Sequence, residues 1–175
     1  MKTRGLGATL DATWGTSLCF SANFRERWGL VSSARQVIAE LCDVYLTPND
    51  RSAALVMAAQ ELLENLAKYS LDGSACFEFE LRLREGVPEA CISTRNLAPV
   101  EHLLHAEELL ERIVSSTAPV ALYDAWLATS GEREGSRLGL IRLRAEAGFT
   151  LSYALDDSRG LEVVVTGQVD PRRAS

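Results

Sequence analysis

Three side chains in the stretch QELLENLAKYS, residues 60–70, are of types that do chemistry: Glu61, Asn65 and Lys68. A carboxylate takes up protons, a carboxamide offers an uncharged oxygen, and an ammonium balances an anion. Their spacing is i, i+4 and i+7, so on a helix they stack along one stripe. At 3.6 residues per turn, that stripe lies about 100° around from the apolar one made by Leu55, Ala59, Leu62 and Leu66, at the edge of the core. Two readings are open at this point. Either the stripe meets solvent, with Glu64 and Lys68 as an i,i+4 pair worth about 0.2–0.5 kcal/mol, or it lines a cleft.

Other chemistry-bearing residues are sparse. His102 and His105 lie one turn apart in EHLLHAEE. A pair at i,i+3 is able to hold a metal, but no further ligand pattern accompanies it. Both histidines fall in one segment, so no Ser/His/Asp arrangement can be built. The four cysteines, Cys19, Cys42, Cys76 and Cys91, are far apart and include no CxxC pair. Such scattering reads as small core residues in a reducing cytoplasm, and neither as a disulfide framework nor as a zinc site. The C-terminal RRAS has the look of a basic serine-kinase site, and a solvated tail is the simpler account.

The elements that must position these residues follow from periodicity. SLCFSANF reads as a first strand. Arg25–Tyr45 has apolar residues at helical spacing (Val31, Ala34, Val37, Ile38, Leu41, Val44) and stops at TPND. There Thr47 is a candidate cap and Pro48 a candidate first residue of a second helix that runs to about Ser70. In CFEFELRLRE the period switches to two, a strand with one wet face. EGVP turns into a second strand, Glu89–Arg95. Helices follow over Pro99–Ser116 and Val120–Thr129, then a loop GEREGS and a short helix RLGLIRLRAEAG stopped by Gly148. FTLSYAL and LEVVVTG close the chain as an antiparallel pair around DDSRG. Trp14, Trp28 and Trp126 are expected in or beside the core.

Strands and helices in separate runs imply an α+β fold, a two-layer sandwich with a mixed, mainly antiparallel sheet and helices on one face. We expect a leader over residues 1–15, one domain over 16–169 and a disordered tail over 170–175. The 175 residues suffice for a single sizeable core. A net charge of -6 argues against nucleic acid and against an acidic membrane surface as partners. No apolar run reaches the roughly 20 residues of a membrane span, and the first residues, MKTRGLGATLDATWG, hold no apolar stretch of secretory length. A cytoplasmic location is the expectation.

ELLENLAKYS resembles the N-box of the GHKL (Bergerat-fold) ATPase superfamily, which includes gyrase B subunits, sensor histidine kinases and the anti-sigma factor serine kinases. The stand-alone serine kinases are the most similar in arrangement, and the likeness spans about Asp50 to Gly167. It implies the histidine kinase-like ATPase fold with ATP and Mg²⁺ as cofactors. Asn65 would hold the metal, Glu61 would be the general base, and Lys68 would neutralise phosphate charge. A hard Mg²⁺ takes oxygen ligands, and a base must reach the attacking group, so the residue types agree with those roles. EGSRLGLIRLRAEAG resembles the second glycine box, which opens a helix under the phosphates. Gly135, Leu138 and Gly139 match it, followed by Leu140 and Ile141, and Arg137 stands in place of the middle glycine, where it either obstructs the loop or brings a guanidinium to the phosphates. At the first glycine box, STRNLAPV has Asn96 where the family has an adenine-binding Asp, and Ala98 and Val100 where it has glycines.

The resemblance implies an ATP-binding regulator that controls a protein partner, a sigma factor or a STAS-type antagonist carrying a phosphoacceptor serine. Two other functions remain open. The missing glycines favour a module that has lost nucleotide and serves for protein binding or dimerisation. Nucleotide acting only as a conformational switch, without kinase activity, is the third. A homodimer through a sheet edge or helix face is compatible with the pattern, which does not require it.

Overall fold

The computed structural model describes residues 14–24, 27–71, 74–129, 135–156 and 158–172, with backbone alone for 74, 129 and 135–138. The expected leader up to residue 13, the loop over 130–134 and the last three residues lie outside these.

Five strands form one sheet: β1 (Thr16–Asn23), β2 (Ser74–Arg84), β3 (Val87–Leu97), β4 (Thr150–Leu155) and β5 (Gly160–Gln168), in the spatial order β1-β2-β3-β5-β4. The sheet was expected to be mixed but mainly antiparallel; all four of its pairings are antiparallel. Alternation sorts its residues by face. Phe77, Phe79 and Leu81 of β2, Ala90 and Ile92 of β3, and Val163 and Val165 of β5 are buried, while Glu78, Glu80, Arg82 and Ser93 lie on the opposite, open face. The α+β sandwich with helices on one face is the observed architecture.

Helices α1 (Trp28–Tyr45), α2 (Asp50–Tyr69), α3 (Val100–Ser115), α4 (Pro119–Thr129) and α5 (Gly135–Arg142) supply the second layer. In α2 the expected stripe is buried, with Leu55 and Ala59 at 0% and Leu62 and Leu66 at 2% exposure. Each such leucine contributes roughly 1.5–3 kcal/mol on leaving water. The face of α1 is narrower than expected. Val31, Ala34, Ile38 and Cys42 are buried, while Val37, Val44 and Trp28 are exposed. The single stripe at i, i+3, i+7 and i+11 is all that the neighbouring α2 covers. No helix among the described residues is long and apolar enough to cross a membrane.

Two boundaries differ from expectation for local reasons. Asn49, not Thr47, caps α2: its side chain accepts from the Ser52 N–H, and Ser52 Oγ accepts from the Asn49 N–H, a reciprocal capping box. The β2–β3 turn is only Glu85–Gly86, both with positive φ (54° and 80°), so β3 begins two residues before Glu89. After α5 the chain continues as a π-helical turn, Leu143–Ala147, which the left-handed Gly148 (φ 68°) ends as anticipated. Residues 170–172 are tied down where a disordered tail was expected. The Thr47 N–H bonds to the Asp170 carbonyl, Asn49 Nδ2 to the Asp170 carboxylate, and the Arg172 N–H to the Tyr45 carbonyl.

The π-helical turn also carries Arg144, whose guanidinium donates to the Ile113 and Val114 carbonyls at the end of α3. Helix ends leave such carbonyls without partners, and a cation there also meets the negative end of the helix dipole. Arg144→Met should therefore cost about 1–3 kcal/mol, lowering the melting temperature by roughly 2–4 °C for each kcal/mol; an unchanged melting curve would show that α3 does not need this cap.

Candidate functional site

Where β3 leaves the sheet centre, its inward side chains change character. Ala90 and Ile92 give way to Thr94 and Asn96, both buried, and then to the buried Ala98. These are smaller or more polar than the Phe77 and Phe79 beside them on β2, and they do not fill the space under the helices. A cavity of about 560 Å³ results, within the range of about 300–1,000 Å³ typical of small-molecule sites. Leu62, Asn65, Leu66 and Tyr69 of α2 form one wall, at i, i+3, i+4 and i+7. His102, His105, Ala106, Leu109 and Leu110 of α3 form another, and Leu140 of α5 with Leu161 and Val163 of β5 completes the lining. His102 and His105 are exposed, so the space opens to solvent along α3. The Tyr69 and His102 rings are in contact, tilted by 47° with centroids 5.1 Å apart.

The stripe that would do chemistry is divided. Asn65 lines the cavity. Glu61, half-buried, lies against Gly139 of α5: a methyl group added at Gly139 would come within 2.8 Å of the Glu61 carboxylate. Lys68 turns away from the lining residues, with Nζ 3.2 Å from Glu64 and 6.0 Å from the centre of the Trp28 ring on α1. The helical angles explain this. Tyr69, Leu62 and Leu66 point at the cavity, Asn65 lies at the edge of their arc, and Glu61 and Lys68 fall further round.

Asn96 lines the cavity from β3, and its Nδ2 donates to the Leu97 carbonyl (3.3 Å). Of the two positions where the superfamily has glycines, Ala98 is buried in the lining and Val100, exposed, is the first residue of α3. The backbone there goes directly from strand to helix, with no glycine loop. Gly135, Arg137 and Leu138 belong by backbone to the first turn of α5, their side chains lie outside the description, and Leu140 lines the cavity among the described residues of α5. Thr94 and Tyr69 were not singled out from the sequence. Strand alternation was the available signal for Thr94, because it shares the face of Asn96 and thus breaks an otherwise apolar register.

The turn after β4 holds this end of β3. The Ala98 N–H donates to the carbonyl of Arg159, whose φ is 69°, and Leu97 pairs with Gly160. Asp156 organises the turn. It accepts from Ser158 Oγ, from the Gly160 and Ser158 N–H groups, and from Arg95 (3.2 Å). The Ser158 hydroxyl first, then the Gly160 N–H, hold the Asp156 carboxyl down at about 2, against an ordinary 3.8.

The cysteines depart from expectation. Cys42 alone among them is buried, where burial pushes its thiol up to about 12. Cys19 is exposed and Cys76 half-buried, and both lie on the open face of the sheet.

The fold is thus an α+β sandwich with a cavity between its layers that carries two carboxamides. No protein-family model and no curated protein matches the chain. Among solved structures it resembles a chain in the crystal structure of the SiaB–SiaC complex from Pseudomonas aeruginosa. The TM-score is 0.57 at 12% identity, over 87% of this chain and 89% of that one. That likeness is one of fold.

Asp156 gives the site a pH signature. A carboxyl whose pKa is depressed on folding stabilises the native state above its unfolded value and loses that contribution as pH falls through its folded one. Wild type should therefore outlast Asp156→Ala in thermal melts above pH 3.8, and the gap should close on titration towards about pH 2; a gap that is constant across this window would mean the carboxylate's charge is immaterial to the turn.

Proposed function

We propose that this chain is a nucleotide-binding regulatory protein of the GHKL type, similar to the anti-sigma factor serine kinases, acting in the cytoplasm on a protein partner. The carrying observation is that Asn65 of α2 and Asn96 of β3 line the same cavity. These are the two positions to which the superfamily resemblance assigns metal and adenine. A mainly apolar lining with a few convergent polar groups suits a purine, whose faces are apolar and whose edge asks for one or two hydrogen bonds. Asn96 would meet that edge through its amide oxygen. Asn65 would hold Mg²⁺, an ion that keeps several waters and phosphate oxygens and needs few protein ligands.

Bound ATP would supply a transferable γ-phosphoryl group. Glu61 would act as base toward an acceptor hydroxyl, while Lys68 and Arg137 would balance phosphate charge beside the backbone of Gly135, Leu138 and Gly139. A sigma factor or a serine-bearing STAS-type antagonist is the partner class these roles imply. The fold neighbour comes from a complex of two proteins, which supports a protein partner for this chain too.

A second reading has specific support. Ala98 and Val100 in place of glycines, and Lys68 turned toward Glu64 and Trp28, favour a module that binds protein without nucleotide. Thermal melting separates the two. With ATP·Mg²⁺ at about a hundredfold excess over Kd, binding adds about 2.7 kcal/mol, or roughly 5–10 °C for a domain of this size. Asn65→Ala and Asn96→Leu should each abolish most of that rise. A wild-type protein that melts at one temperature with and without nucleotide leaves the module reading standing. Where ATP binds, loss of phosphate transfer to a partner serine in Glu61→Ala would support the kinase role, and transfer unaffected by that change would remove it.

A further inference from the structure

The open face of the sheet carries a second cluster, which the cavity does not involve. Cys19 of β1 lies directly across from Glu78 of β2, and Cys76 precedes Glu78 by two residues, so all three share one face. Their ligand atoms lie within 4.8 Å of one another. Cys19 Sγ is 3.6 Å and Cys76 Sγ 4.0 Å from the same oxygen, Glu78 Oε1. In a tetrahedral zinc site with Zn–S of about 2.3 Å and Zn–O of about 2.0 Å, sulfur and oxygen ligands are separated by about 3.5 Å. The two sulfur–oxygen separations thus stand within about half an ångström of ligating values, while two sulfur ligands need to be about 3.8 Å apart and the cluster spans no more than 4.8 Å.

The surroundings favour a cation. Ser93, opposite Glu78 on β3, places its hydroxyl 3.3 Å from Glu78 Oε2, the kind of outer contact that fixes a ligating carboxylate. Arg95 is the residue across from Cys76, but its guanidinium is engaged by Asp156 at 3.2 Å and so is drawn away from Glu78.

We infer that Cys19, Cys76 and Glu78 form a binding site for zinc or a similarly thiophilic divalent ion on the outer face of the sheet. Two sulfur donors select against Mg²⁺ and Ca²⁺. Three protein ligands leave the fourth tetrahedral position to water or to a donor from a docked protein. Binding requires the thiols to ionise, so uptake releases protons to solvent and strengthens as pH rises.

The test uses the full chain, reduced and then freed of thiol reductant. Titration with Co²⁺ should give one equivalent bound, with a sulfur-to-cobalt charge-transfer band, and Zn²⁺ should displace it. Cys19→Ser and Cys76→Ser should each remove the band and weaken binding at least tenfold. Glu78→Gln should weaken it while keeping the band, and Cys91→Ser should change neither. All four positions lie at the sheet surface or are only half-buried, and unchanged circular dichroism would verify folding. Failure of the reduced wild type to bind either ion overturns the site. So does a band that survives in the Cys19→Ser/Cys76→Ser double variant. Formation of a Cys19–Cys76 disulfide in air by a protein that takes up no metal when reduced would replace the site with a redox pair.

Discussion

The burial of one helix face against one sheet face governs this molecule. Leu55, Ala59, Leu62 and Leu66 of α2 have to leave water, and the inner residues of β2, β3 and β5 are the apolar surface available to them. Its position is then enforced at both ends: Asn49 and Ser52 cap its start and tie it through Asp170 to the end of the chain, while Gly139 allows α5 to close over Glu61. Sliding α2 by a residue would turn the leucines outward and bring Glu61 and Glu64 onto the sheet, at a cost of several kcal/mol per charge.

The cavity is a consequence of the same packing. The strands beneath α2 do not carry side chains of uniform size: Thr94, Asn96 and Ala98 line the same cavity as Leu62, Asn65, Leu66 and Tyr69, toward the end of α2. Helix α3 cannot descend to fill the gap, because Pro99 starts it directly from the strand and Arg144 holds its far end. Thr94 and Asn96 make the lining of that space mixed rather than wholly apolar, and the Asn96 amide already donates to the Leu97 carbonyl.

Much of this was legible from periodicity. The Phe77–Phe79–Leu81 alternation identified β2 and its wet face, the leucine stripe identified α2, and Gly148 marked the end of the helical segment after Gly135. Asn65 and Asn96 were singled out, and they do share one cavity. What escaped depends on distance in the chain. That Glu61 would face α5 and Lys68 face α1 is decided by which helices flank α2, information no local window contains. Val37 and Val44 fit a helical period yet meet water, because period alone does not say how wide a stripe the neighbour covers. Cys19 and Cys76 looked scattered because their spacing of 57 residues conveys nothing until the register of β1 with β2 sets both beside Glu78.

That register has a further consequence for how the two surfaces relate. On β3, Thr94 and Asn96 point into the cavity, and Ser93 and Arg95 point to the open face, one residue apart. The two candidate sites thus lie back to back across a single layer of backbone. A ligand in the cavity would enter beside His102 and His105, on the helical side, whereas a protein docked on the sheet would meet Cys19, Glu78 and Arg95. Neither occupant blocks the other. Any influence between them must pass through the strand itself or through the Arg95–Asp156 bridge, which joins the open face to the turn that holds the end of β3. A strand paired on both sides is stiff, and an exposed ion pair contributes at most about 1 kcal/mol. The bridge is therefore the weaker of the two links between the open face and the turn that holds the end of β3.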